Sequence, residues 1–386
     1  MTDPQATPAP PASRPSQKLE AIQLLRALAA GVVVLGHLMG GLVLFCAGHG
    51  CQFHRPGFPT GAGVDLFFVI SGFIMVVASG RLFGAGHGAR EFLLRRLIRI
   101  VPLYWGVTAL ALALTVAGGH HALPSLPAIA ASLSFVPYDT TARADGFAFP
   151  IVDLGWTLNY EMMFYLLFAT FIAQGRERCI ALVTVTLALL IGAGLLFAPT
   201  SVPLRFWTQP ISLEFVAGMW IARAYLTGKP ALPVALRLAL GVLAIGCLAW
   251  NPFTALHTVT TPNGFYRVIG WGLPAATLLL ATISGTVALR GPVARGLVLL
   301  GDASYALYLL HPFVIVTALK AAARWPRIAT GVAPVFLAIT FAAAAGAAIA
   351  VFLIVERPVS TRLTALLRRR AHQPSPSPTN AIAPEW

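Results

Sequence analysis

Ten apolar stretches, each long enough to cross a bilayer at about twenty residues per span, constrain this chain more than any other feature. They lie near 19–45, 63–82, 100–118, 155–173, 179–197, 208–226, 231–250, 265–285, 297–319 and 332–355. A bilayer offers no water to satisfy backbone N–H and C=O groups, so a chain of this pattern is expected to fold as an all-α, polytopic transmembrane bundle. Composition agrees: 57% of the residues are hydrophobic and only 10% are charged, against roughly a quarter charged in an average soluble domain. A soluble enzyme, a disordered protein and a secreted disulfide scaffold are excluded.

The stretches divide the chain into three parts. Residues 1–17 form a Pro/Ala/Ser-rich tail that reads as disordered and lacks the order of a signal peptide; 18–360 hold the spans; 361–386 are basic and then Pro/Ser-rich. The net charge of +14 would point to nucleic acid in a soluble protein. Here it has a simpler cause. With the N-terminus inside, nineteen of the 27 Lys and Arg residues fall on inside segments and six on outside ones. That bias places both termini in the cytoplasm, makes anionic membrane lipid the partner of the basic surfaces, and leaves no role for nucleic acid.

Cys179 and Cys247 sit in apolar runs and read as inert core residues. Cys46 and Cys51 flank a short outside loop, where a disulfide could form. His49 and His54 share that loop, but their spacing with the cysteines matches no recognised metal site, and no metal is expected.

A charged group at mid-bilayer costs about 2.5–3.5 kcal/mol on insertion scales, so ionisable residues inside the spans are functional candidates. They are Arg26, His37, Asp65, Glu161, Glu214, Asp302, His311 and Glu356. Arg26 and His37 are eleven residues apart, about three helical turns and about 16 Å of rise, so they share one face of the first span. Arg26 falls toward the cytoplasm and His37 toward the outer half. Asp65, Glu161, Glu214 and His311 are expected in the outer half with His37, where imidazoles beside carboxylates suit general acid–base chemistry. Glu214 could equally anchor a helix end. On the inner side, Arg95, Arg96 and Arg99 cluster where the third span begins. Alone they would serve topology and lipid headgroups; with Arg26 they suit a phosphate-bearing ligand, because the guanidinium fork takes two oxygens. A polyanionic head on a long neutral arm would bridge the two sides, and acyl-coenzyme A (acyl-CoA) has that shape.

Two stripes stand out within single spans. Ser304, Tyr308 and His311 share one helical face, and Thr157, Glu161 and Tyr165 recur every four residues. Ser71 has no GxSxG around it and reads as a packing or hydrogen-bonding serine rather than a nucleophile.

Six blocks, in order, resemble the acyltransferase-3 family of integral membrane O-acyltransferases across about residues 18–360. They are Arg26-x10-His37; Gly63-Val-Asp-Leu-Phe-Phe-Val-Ile-Ser71-Gly72; Arg95-Arg-Leu-Ile-Arg99-Ile-Val-Pro102; Trp156-Thr-Leu-Asn-Tyr-Glu161-Met-Met-Phe164-Tyr165; Ser304-Tyr-Ala-Leu-Tyr308-Leu-Leu-His311; and Glu356-Arg-Pro358. The opening run from Ile22 and the run Arg99-Ile-Val-Pro-Leu-Tyr-Trp105 look most similar to rhizobial exopolysaccharide O-acetyltransferases. The resemblance implies transfer of an acyl group, most often acetyl, from cytoplasmic acyl-CoA to a hydroxyl of an extracytoplasmic or lipid-linked carbohydrate. It implies no prosthetic group, a bacterial inner-membrane location and possible association with polysaccharide assembly proteins. The expected catalytic set is His37 as base, Glu161 or Asp65 holding its tautomer, and His311 and Tyr308 shaping the acceptor side or polarising the thioester. The expected donor-binding set is Arg26, Arg95, Arg96, Arg99 and Ser71. A variant has His37 itself accept the acyl group. Two other classes fit intramembrane charge: a transporter of a lipid-linked sugar or small solute, and a structural subunit of a polysaccharide assembly complex.

Overall fold

The computed structural model describes residues 14–118, 123–138, 149–228, 232–250, 264–285, 291–324 and 333–371, and every regular element among them is helical. Residues 1–13, Arg143 of the long connection and the Pro/Ser-rich stretch 372–386 lie outside the described residues. The helices are α1 (Arg14–His49), α2 (Ala62–Ala78), α3 (Gly88–Ala117), α4 (Leu126–Leu133), α5 (Trp156–Phe171), α6 (Arg176–Phe197), α7 (Val202–Trp207), α8 (Leu213–Leu226) and α9 (Val234–Trp250). They continue with α10 (Phe265–Ile283), α11 (Pro292–Asp302), α12 (Ser304–Ala322), α13 (Ala333–Val351) and α14 (Arg357–Ala371).

Each of the ten apolar stretches is helical. Among the described residues, six helices are long and apolar enough to cross a membrane: Glu20–His49 within α1, α3, α6, α10, α12, and Ala333–Leu367 running through α13 into α14. α2 and α9 are shorter apolar helices of 17 residues. α5 and α8 are shorter again, with 16 and 14 residues. The expected continuous span at 297–319 is corrected. It breaks at Ala303 into α11 and α12, because Gly301 packs so close to the Gln23 carbonyl of α1 that no side chain fits between them. The helix restarts at Ser304.

Side-chain contacts give the helix directions. α1 and α2 are antiparallel, with Thr60 against Gly36 and Gly63 against Ala29 and Val33. α2 and α8 are parallel: Phe68 stacks on Phe215 with centroids 4.6 Å apart, and Phe73 meets Tyr225. α2 and α5 are also parallel, while α3 and α5 are antiparallel through Phe92 and Tyr165 at one end and Tyr104 and Gly155 at the other. α6 and α8 are antiparallel, joined by Glu177–Arg223 and Thr184–Trp220. α1 runs parallel to α12 and antiparallel to α13.

α2 lies at the centre of this bundle. Helices in lipid gain little from burying apolar surface, so they associate through close packing at small residues. Gly72 of α2 abuts the Phe215 carbonyl of α8, and Gly218 of α8 abuts the Val69 carbonyl of α2. Around that seam Phe73, Phe164, Phe168, Tyr160 and Phe215 are fully buried. α4, capped by the Ser125 hydroxyl, covers one end of α3 and α5 through a Tyr104–Ser132 hydrogen bond of 3.0 Å.

All four cysteines are free thiols, Cys46 buried and Cys51 half-buried, so the possible Cys46–Cys51 bridge is not formed. His49 bonds the Phe45 carbonyl of its own helix at 2.8 Å.

Candidate active site

α1 and α12 lie side by side and meet at two levels. At one, the Arg26 guanidinium donates to Ser304 Oγ at 2.8 Å and to Gln23 Oε1 at 2.9 Å. At the other, His37 and His311 approach to 3.2 Å. The bundle thus has an arginine end and a histidine end.

At the arginine end a cavity opens between α1, α2, α3, α5 and α12, lined there by Arg26, Ser71, Arg96, Arg99, Glu161 and Tyr165. Arg96 stacks over the rings of Phe92 and Tyr165, 5.4 and 5.7 Å from their centroids. The Ser71 hydroxyl donates to Glu161 Oε1 at 2.9 Å, and Tyr165 donates to the same oxygen. Glu356 is buried by a π turn at Phe352–Glu356, which carries the extra residue that rotates its side chain inward. The expected arginine cluster divides: Arg96 and Arg99 line the cavity, but Arg95 turns outward to pair with Glu91.

Toward the histidine end the cavity is lined by Val64, Phe67, Phe68, Thr157 and Tyr308. The Tyr308 and Thr157 hydroxyls lie 3.2 Å apart and both reach the Leu154 carbonyl, at 3.2 and 3.1 Å, so the three groups form one hydrogen-bonded cluster. His311 follows three residues later, its ring centroid 6.3 Å from that of Tyr308. His311 Nδ1–H donates to the Leu307 carbonyl at 2.9 Å and His37 Nδ1–H to the Val33 carbonyl at 3.0 Å. A carbonyl only accepts, so both rings carry their proton on Nδ1. The single His37 Nδ1–H is then shared between the Val33 carbonyl and His311 Nε2, and among the described residues His37 Nε2 keeps a free lone pair on a ring with an exposed face.

Two expectations need correction here. Neither Asp65 nor Glu161 holds the His37 tautomer; the Val33 carbonyl and His311 do. Asp65 is instead clasped by Arg267, whose Nε and Nη2 donate to its two oxygens at 2.9 and 2.8 Å, with both side chains buried. Arg267 also stacks over Trp271 at 4.9 Å and Trp156 at 5.8 Å. Glu214, in the first turn of α8, is buried beside this pair and against Gly272. The second correction concerns depth. Glu161 belongs to the arginine-lined cavity, because α5 starts within the bundle at Trp156, beneath α4, and five residues bring it level with Ser71.

Arg267 is the residue the sequence reading missed. It is one of the six cations that the topology assigns to outside segments, although it stands inside the apolar stretch 265–285, and that position is the signal for it. A π turn at Val268–Gly272 brings Arg267 and Trp271 to the same interior position. Among the described residues no group of three or more His, Cys, Asp or Glu side chains is placed to hold a metal ion.

The site therefore pairs cations and hydroxyls at one end of a cavity with a free imidazole nitrogen just beyond the other. Residues 19–355 match the family described as an acyltransferase domain, Acyl_transf_3. The exopolysaccharide production protein ExoZ of Rhizobium meliloti (strain 1021) is 37% identical over 323 residues, covering 80% of this chain and 94% of ExoZ. No solved structure matches the chain. With its membrane-spanning helices and a family match across nearly its whole length, the chain belongs to the acyltransferase-3 family and is a multi-pass membrane enzyme that transfers acyl groups.

Proposed function

We propose that this protein takes an acyl group, acetyl in the first instance, from acyl-CoA on the cytoplasmic side of the bacterial inner membrane. The acceptor is a hydroxyl of an extracytoplasmic or lipid-linked carbohydrate such as exopolysaccharide. The observation that carries the reading is the double contact between α1 and α12: Arg26 with Ser304, and His37 with His311, at two levels of one parallel helix pair. The relationship to ExoZ supports the choice of acceptor.

The helix directions support ten crossings with both termini inside. Counted as spans one to ten, odd-numbered helices pack parallel to odd ones and antiparallel to even ones at every contact described above. The excess of Lys and Arg on the resulting inner segments gives the orientation.

In this reading Arg26, Arg96 and Arg99 receive the phosphate-bearing part of the donor, and Ser71 and Glu161 hold the polar wall opposite. The thioester lies toward Tyr308. His37 Nε2 takes the proton of the acceptor hydroxyl as its oxygen forms a bond to the thioester carbon. The carbon–sulfur bond breaks, and the coenzyme leaves as thiol after receiving that proton from the imidazolium. His311 Nε2 and the Val33 carbonyl stabilise the imidazolium through Nδ1–H, the part first assigned to a carboxylate. Asp65, Arg267 and Glu214 hold the surrounding helices.

Reconstituted protein supplied with radiolabelled acetyl-CoA and a crude polysaccharide acceptor tests this. Wild type should transfer label and His37→Ala should not, while still binding the coenzyme. Activity in His37→Ala would remove His37 from the mechanism. Absence of coenzyme binding in wild type would favour a transporter.

A further inference from the structure

We propose that Tyr308, Phe67 and Thr157 form a stop that limits the transferred group to short, uncharged acyl chains. The inference rests on the donor reading above. It concerns which acyl group is carried, a property of pocket volume that packing decides.

The cavity has one end rich in cations and one end without any. Arg26, Arg96 and Arg99 line the first; Val64, Phe67, Phe68, Thr157 and Tyr308 line the second. A donor anchored by its phosphates at the arginine end points its acyl group at this wall. Distance along α12 agrees: Ser304, which holds Arg26, precedes Tyr308 by one turn, about 6 Å of rise, and His311 lies about 4.5 Å further on. The acyl carbon must therefore sit at Tyr308 to be handed to a hydroxyl at His37.

The wall cannot recede. Phe68 is buried between Phe215, stacked at 4.6 Å, and Tyr160 at 6.0 Å. Phe67 meets the Tyr308 ring edge-on at 6.1 Å. The Tyr308 hydroxyl is held by both Leu154 and Thr157. These contacts fix the ring in place as a boundary of the cavity. Each methylene added to the acyl chain must push against a packed surface. A carboxylate on the chain, as in succinyl, would meet no cation: the Arg267 guanidinium behind Trp156 is already paired with Asp65. A buried charge left without a partner is strongly disfavoured.

The test measures kcat/KM for acetyl-, propionyl-, butyryl- and succinyl-CoA with one acceptor, in wild type, Tyr308→Ala, Tyr308→Phe and Phe67→Ala. Donor ratios are compared within each preparation, so a reduced folded fraction cancels. Wild type should lose about tenfold or more per added methylene and should not use succinyl-CoA. Tyr308→Ala and Phe67→Ala should narrow the acetyl-to-butyryl ratio by at least about tenfold, and Tyr308→Phe, which keeps the ring, should retain the wild-type order. A wild type that uses butyryl- or succinyl-CoA as well as acetyl-CoA overturns the inference without any variant. So do unchanged ratios in both alanine variants. A wild type that moves no acyl group from any donor overturns the transferase reading itself, a result distinct from lost selectivity.

Discussion

His37 and His311 meet with ring centroids 5.1 Å apart, and each donates its Nδ1–H to the carbonyl four residues earlier on its own helix. Two helix backbones thereby fix two tautomers, and the lone pair of one ring faces the proton of the other. The consequence is a base whose supporting group is a neutral imidazole. His311→Gln should lower kcat by about a hundredfold while leaving the donor KM near wild type. Steady-state kinetics on reconstituted protein measure this, and an unchanged kcat would remove His311 from support of the base.

Arg26 uses two of its nitrogens to hold Gln23 and Ser304 at the mouth of the cavity. Arg26→Ala should raise the KM for acyl-CoA about 10–100-fold, the loss of one or two hydrogen bonds to a charged group. Arg26→Lys should recover only part of it, since an ammonium cannot reproduce the planar fork. Equal KM values in all three proteins would place the coenzyme elsewhere.

The Asp65–Arg267 pair is buried on both sides. Arg267→Gln leaves a buried carboxylate without its partner and should cost about 3–5 kcal/mol of stability. The double variant Asp65→Asn/Arg267→Gln should recover part of that loss. Thermal unfolding in lipid nanodiscs gives both values; a single variant as stable as wild type would show that the pair does not hold α2 to α10.

Gly72→Ala would drive a Cβ into the Phe215 carbonyl, and backbone cannot move aside as a side-chain tip can. Overpacking of this kind costs about 1–3 kcal/mol or more. Gly40→Ala is the control, because nothing lies within 4 Å of the added atom. The yield of monodisperse protein in detergent should fall for the first and hold for the second.

Orientation is open to direct measurement. In a background without native cysteines, Gln52→Cys on the loop after α1 should react with a membrane-impermeant thiol reagent in spheroplasts. Thr227→Cys after α8 should react only once the membrane is opened. Both positions are exposed. The reverse pattern would invert the topology and move the donor site to the wrong compartment.

Much of this was written locally in the chain. Apolar runs of span length determine that it is helical and membrane-embedded. Helical periodicity alone places Arg26 and His37 on one face of α1, and Ser304, Tyr308 and His311 on one face of α12. Those features depend only on residues a few turns apart. Partnerships across helices depend on which helix lies beside which, and at what depth, and no spacing within one helix carries that information. Glycine contacts such as Gly72 with Phe215 set the register between α2 and α8. The sunken start of α5 carries Glu161 to the arginine end, and the π turn after Arg267 rotates a side chain that reads as a loop cation onto Asp65, 202 residues away in sequence. The sequence by itself therefore determined the class of the protein and the chemistry of its candidate groups. Only the packed bundle decided that His37 meets His311 and not a carboxylate, because Asp65 is taken up by Arg267 and Glu161 by Ser71 and Tyr165.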